Sequence, residues 1–90
     1  MNDRKKTTKS PQISGIVIAA KWNEKGDVTG VTIQTHDEQV YLVEQNKTGD
    51  ELLNLVRRMV TARGKVRKKQ YGPAIIRVQS YEILTERLNR

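Results

Sequence analysis

The stretch Gln39–Lys68, QVYLVEQNKTGDELLNLVRRMVTARGKVRK, decides the fold, because its periodicity changes twice. Gln39 to Glu44 surrounds the apolar run Val40-Tyr41-Leu42-Val43 and reads as a strand. Thr48-Gly49-Asp50-Glu51 then has the capping-box pattern, in which the Thr48 oxygen accepts from the Glu51 N–H and the Glu51 side chain returns to Thr48. Leu52, Leu55, Val56 and Met59 follow at helical spacing, with acids at the start and Arg57-Arg58 at the end, as the macrodipole prefers. From Thr61 to Lys68 the alternation returns, with Ala62, Gly64 and Val66 on one side and Arg63, Lys65 and Arg67 on the other. The segment is strand, short one-faced helix, strand.

Working outward, Gln12 to Trp22 reads as a long strand rich in Ile and Val, with Gly15 marking a bend. Asn23–Asp27 is a hairpin loop with Gly26 available for positive φ. Val28 to Thr35 is a second strand, and His36-Asp37-Glu38 turns the chain into the third. Downstream, Lys69–Pro73 has strong turn chemistry, and Ala74 to about Leu84 is a fifth strand with Ile76 and Val78 opposed to Arg77 and Gln79. Residues 1–11 show no apolar periodicity and are expected to form a flexible basic arm before a domain over 12–84. Whether the tail over 85–90 extends a strand or makes a helical turn is left open by its sequence.

Ninety residues support one domain with a modest core, burying roughly 60–65% of the unfolded surface. Hydrophobic residues make up 36%, below a typical globular share, but they fall in periodic blocks. Without cysteine there is neither a disulfide framework nor a thiolate metal site, so a reducing cytoplasm is the expected setting. The basic start lacks the apolar run of a signal peptide, and no stretch approaches the roughly 20 apolar residues of a membrane span. Asn46-Lys47-Thr48 matches a glycosylation acceptor, which without secretion is a chance match. The net charge of +7 is unevenly spread. Residues 1–20 carry net +3, residues 21–51 net −4, and residues 52–90 net +8. Concentrated positive charge favours an anionic partner.

The element order β-β-β-α-β-β in so short a chain is restrictive. A ferredoxin-like unit needs two helices, a double-stranded-RNA-binding domain begins with one, and an SH3-like barrel has none between strands three and four. An all-β five-stranded Greek-key barrel with a helix plugging one end fits best.

Ile13 to Leu84 resembles the OB-fold, in the compact form of anticodon-binding and single-strand-binding domains. The resemblance is carried by ISGIVIAAKW, by VTGVTIQTHDEQVYLVE, and by VTARGKVRKKQYGPAIIRVQSYEIL, a strand into Gly-Lys-Val, a loop and a closing strand. It implies a ligand face on the outside of strands two and three, flanked by the loops joining strands one to two and four to five. Here that face would present Thr32, Gln34, Tyr41 and Val43. The first loop would add Trp22, Asn23 and Lys25, and the second Lys68, Lys69, Gln70 and Tyr71, reached along Arg63, Lys65 and Arg67.

Cations that track phosphates and rings that stack bases are what single-stranded nucleic acid requires. The expected binding residues are therefore Lys21, Trp22, Lys25, Tyr41, Arg63, Lys65, Arg67, Lys68, Lys69 and Tyr71. Several of these side chains, and Tyr81, have a structural alternative. Trp22 can close the barrel end, Tyr41 can face the core, Tyr81 reads as structural, and the Arg63–Lys69 charges can simply protect a strand edge. Asp37, Glu38 and Glu44 lie near the expected face and would repel phosphate, or bind a basic protein instead.

His36, the only histidine, sits in a polar turn with Asp37 and Glu38, where an exposed turn is a better reading than a metal site. There is no nucleophile elbow or phosphate-cradling Gly-rich loop, and no pocket is implied for Glu82 and Glu86 to act as acid and base. The expectation is a non-catalytic module without cofactor or metal that binds single-stranded DNA or RNA with low sequence specificity. A protein-interaction module using the same barrel is the alternative.

Overall fold

A computed structural model describes residues 11–84. All but Pro11 of the arm expected over residues 1–11, and the tail over 85–90, lie outside the described residues. The elements are β1 (Gln12–Trp22), β2 (Val28–Thr35), β3 (Val40–Val43), α1 (Lys47–Glu51), a 3₁₀ turn (Leu52–Asn54), β4 (Met59–Arg67) and β5 (Ala74–Ile83). The strands close into a barrel in the order β1-β2-β3-β5-β4. Every pairing is antiparallel except β3 with β5, which is parallel, Tyr41 opposite Ala74 and Val43 opposite Ile76. A closed five-stranded barrel with one short helix between β3 and β4 is the arrangement expected above, and it is consistent with an OB-like fold. No helix among the described residues is long and apolar enough to cross a membrane.

Alternation fills the barrel. Val17, Val31, Ile33, Val43, Val60, Ala62, Ile76 and Val78 point inward from the five strands, and Leu52 seals one end. All are buried, and each large aliphatic side chain removed from water contributes about 1.5–3 kcal/mol. Two glycines allow the walls to approach. A Cβ on Gly15 would lie 2.3 Å from the Gln34 carbonyl oxygen, and one on Gly64 would lie 2.0 Å from that of Arg77. Gly64 also adjoins the irregularity in the β4–β5 register, where Arg63 faces Ser80 but Gly64 faces Val78.

The helix departs from the sequence reading. Its N-cap is Asn46, not Thr48: the Asn46 Oδ1 accepts from the Gly49 N–H at 2.6 Å, and its Nδ2 donates to the Val78 carbonyl at 3.2 Å. Asn46 thus both starts the helix and ties it to β5. The helix is also shorter than expected. It tightens into the 3₁₀ turn and ends as Arg57 adopts a left-handed φ of 76°. Leu52 is buried and Leu55 and Val56 are packed against the core, but Met59 belongs to β4 and is exposed. Backbone bonds from Arg57 N to the Val17 carbonyl and from Val17 N to the Arg58 carbonyl pull this segment onto β1 before a further helical turn can form.

Candidate nucleic-acid interface

The outward side chains of β4 and β5 meet across the sheet. Lys65 stands opposite Arg77, and Arg67 opposite Ile75. Glu44, just past β3, is fixed by a 2.9 Å backbone bond from its N–H to the Ile76 carbonyl. Its carboxylate lies between two guanidinium groups, with Arg67 Nη2 at 2.8 Å and Arg77 Nη1 at 3.8 Å. Both arginines remain more than 60% exposed while Glu44 is 29% exposed, so the carboxylate is seated below them. Parallel pairing of β3 with β5 makes this possible, because it lays the end of β3 beside Ile76, next to Arg77 in the first half of β5.

Two shallow grooves share this group. One, about 350 Å³, is lined by Glu44, Lys65, Arg67 and Arg77. The other, about 360 Å³, runs from Lys21, Thr29 and Gly30 over Leu42 and Ile75 to Arg67 and Glu44. A Cβ on Gly30 would touch the Lys21 stem at 3.2 Å, so that side chain lies across the glycine. Lys21, Lys65, Arg67 and Arg77 therefore border one continuous surface, with Glu44 the one carboxylate lining either groove.

A third groove, about 600 Å³, lies at the barrel mouth between the β2–β3 turn and the β4–β5 loop. Glu38, Gln39, Val40 and Tyr41 line one side, and Lys68, Lys69, Gly72, Pro73 and Ala74 the other. The turn is held by Thr35, whose hydroxyl donates to the Asp37 carboxylate and accepts from the Gln39 N–H at 3.0 Å. That hydroxyl bond is the main reason the Asp37 carboxyl titrates below its usual range.

The remaining expected residues are dispersed. Arg63 bonds the Gln12 side chain and lines a separate groove with Thr61, Ser80, Tyr81 and Glu82. Lys25 lies in the β1–β2 loop, whose backbone is pinned by the Asn23 Oδ1 accepting from Lys25 N and Asp27 N at 2.9 and 3.0 Å. Trp22 and Tyr71 are 57% and 79% exposed, one at the end of β1 and the other in the β4–β5 loop. Neither ring lines any of these four grooves.

The placement of Tyr41 and Val43 on the outer face is corrected. Both point inward, Val43 buried and Tyr41 half-buried against the core. Their neighbours Val40 and Leu42 take the outer positions, opposite Gln34 and Thr32. Four consecutive apolar residues give no alternation from which to read the facing. Arg77 was missing from the expected set although its alternation with Ile76 and Val78 places it outside. Only the strand order brings it to Lys65 and Glu44. Among the described residues no group of three metal-ligating side chains gathers. No family model, curated protein or solved structure matches this chain.

Proposed function

We propose that the chain is a non-catalytic module that binds single-stranded DNA or RNA with low sequence specificity, chiefly through the phosphate backbone. The observation that carries this reading is the convergence of Lys21, Lys65, Arg67 and Arg77 on one outer surface holding a single carboxylate. Phosphates need fixed cations at intervals along a track, and alternate residues of a strand stand about 6–7 Å apart, close to the step between phosphates in an extended strand. No ring lines that surface, so stacking contributes little there and electrostatics supplies most of the affinity. Low base specificity follows, because phosphate contacts carry no sequence information.

Salt dependence is the test. Four cations offset by Glu44 are equivalent to about three neutralised phosphates, which gives a slope of log K against log salt of about −2 for a single strand. Raising salt from 50 to 200 mM should weaken binding of fluorescent oligo(dT) or oligo(U) about 20-fold in an anisotropy titration. No binding at the lower salt ends the proposal.

The protein-interaction reading has its own observation. Ile18, Thr32, Leu42 and Ile75 follow one another across β1, β2, β3 and β5 on the outside, and Ile18 and Val40 are each more than a third exposed. Recovery of a stoichiometric protein partner by a chain indifferent to oligonucleotides would favour it.

A further inference from the structure

We propose that the groove at the barrel mouth seats one nucleotide, with its base on an apolar floor and its phosphate at a lysine rim; this rests on the nucleic-acid reading above. The groove is the largest of the four described, and its volume of about 600 Å³ lies within the range of small-ligand sites, about 300–1,000 Å³. Its two sides come together because β3 and β5 start side by side, Tyr41 opposite Ala74. The turn before β3 and the loop before β5 therefore overhang the same opening.

The lining is divided by chemistry. Val40, Tyr41, Pro73 and Ala74 provide an apolar surface for the flat face of a base. Lys68 and Lys69 stand on one side and form no ion pair among the described residues, in contrast to Arg67, which Glu44 holds. The Tyr41 ring packs against the core, yet its hydroxyl makes no hydrogen bond among the described residues. The other half-buried phenol, Tyr81, donates to Glu51 at 2.8 Å. A polar atom of a ligand on this floor would be within reach to accept from the Tyr41 hydroxyl.

Glu38 lines the opposite side, with its backbone in the left-handed region at φ 69°. An ionised carboxylate only accepts hydrogen bonds and repels phosphate. The phosphate is therefore directed to Lys68 and Lys69, and Glu38 faces the edge of the base. That polarity selects bases with an exocyclic amino donor, such as cytosine, over uracil, as a carboxylate accepting from the cytosine amine does elsewhere.

The test is a titration of the uniformly ¹⁵N-labelled full chain with cytidine 5′-monophosphate, uridine 5′-monophosphate, inorganic phosphate and oligo(dC). Cytidine monophosphate should shift the amides of Gln39, Tyr41, Lys69 and Ala74, with an apparent Kd at least about fivefold below that of the uridine nucleotide. Within the groove, inorganic phosphate should move only Lys68 and Lys69. Val40→Glu, at an exposed groove position, should abolish the nucleotide shifts, and K68A/K69A should weaken them with the fold unchanged. If oligo(dC) binds and shifts Lys65, Arg67 and Arg77 while the groove amides stay still with every ligand, the seat is overturned and the wider reading survives. If cytidine monophosphate fills the groove but oligo(dC) does not bind, the seat stands and the strand-binding reading falls.

Discussion

On the proposed reading of the Lys65–Arg77 surface, replacing Glu44 by Gln should tighten nucleic-acid binding. Glu44 neutralises part of the cationic surface, with its oxygens 2.8 Å from Arg67 and 3.8 Å from Arg77. A phosphate accepting from the free side of either guanidinium would lie about 6 Å from this carboxylate, a repulsion of about 0.7 kcal/mol at the dielectric of water and more in a partly shielded groove. Removing it should raise affinity about three- to fivefold in 50 mM salt. The surface gains one effective cation, so the salt slope should steepen by about 0.7, from about −2 to about −2.7. Because the pairs are largely exposed, the cost in stability should stay below about 1 kcal/mol. The assay is anisotropy with labelled oligo(dT) from 50 to 200 mM salt, alongside thermal melts of both proteins. An affinity that is unchanged or lower, in a variant that melts normally, would refute the assignment of this surface as the phosphate track.

Two further outcomes test the framework beneath that surface. Gly64→Ala would force a Cβ to within 2.0 Å of the Arg77 carbonyl oxygen and 2.9 Å of the Val78 Cα, both backbone atoms. Urea denaturation should show a loss of about 2–3 kcal/mol, and a loss under about 0.5 kcal/mol would contradict the packing described. Tyr81 donates to Glu51, and this bond, reinforced by desolvation and the Glu51 charge, raises the phenol above its ordinary value of 10.0. Folding is thereby favoured below pH 10, and the contribution is lost as pH rises through the higher folded value. Absorbance at 295 nm should resolve one late-titrating tyrosine that Tyr81→Phe removes, at a cost near neutral pH of about 0.5–1 kcal/mol.

Strand content was legible from Ile and Val enrichment in Gln12–Trp22 and from alternation in Val28–Thr35, and both fold with the bounds their pattern gives. Reading failed where two signals competed. Thr48-x-x-Glu51 is a genuine capping pattern, yet Asn46 two residues earlier can also reach the Val78 carbonyl, a contact 32 residues away that local sequence cannot reveal. Met59 sits at helical spacing from Leu52 and Leu55, but β1 captures the backbone at Arg57 and Arg58 first. For the site, the alternation of Arg63, Lys65 and Arg67 gave the direction of each side chain. It did not give the neighbours. Arg63 is drawn to Gln12 while Lys65 and Arg67 meet Arg77 and Glu44, a separation created by barrel closure.

Joining β3 to β5 links Tyr41–Val43 to Ala74–Ile76 across more than thirty intervening residues. Closing a loop of that size carries an entropic penalty before any contact rewards it, so this seam should zip late while the β1–β2 hairpin forms early. During synthesis, a growing polypeptide that has not yet released Ala74 has one lip of its mouth and no second. The groove at the barrel mouth is therefore completed only when β5 pairs with β3, and a chain stopped before Ala74 would lack it.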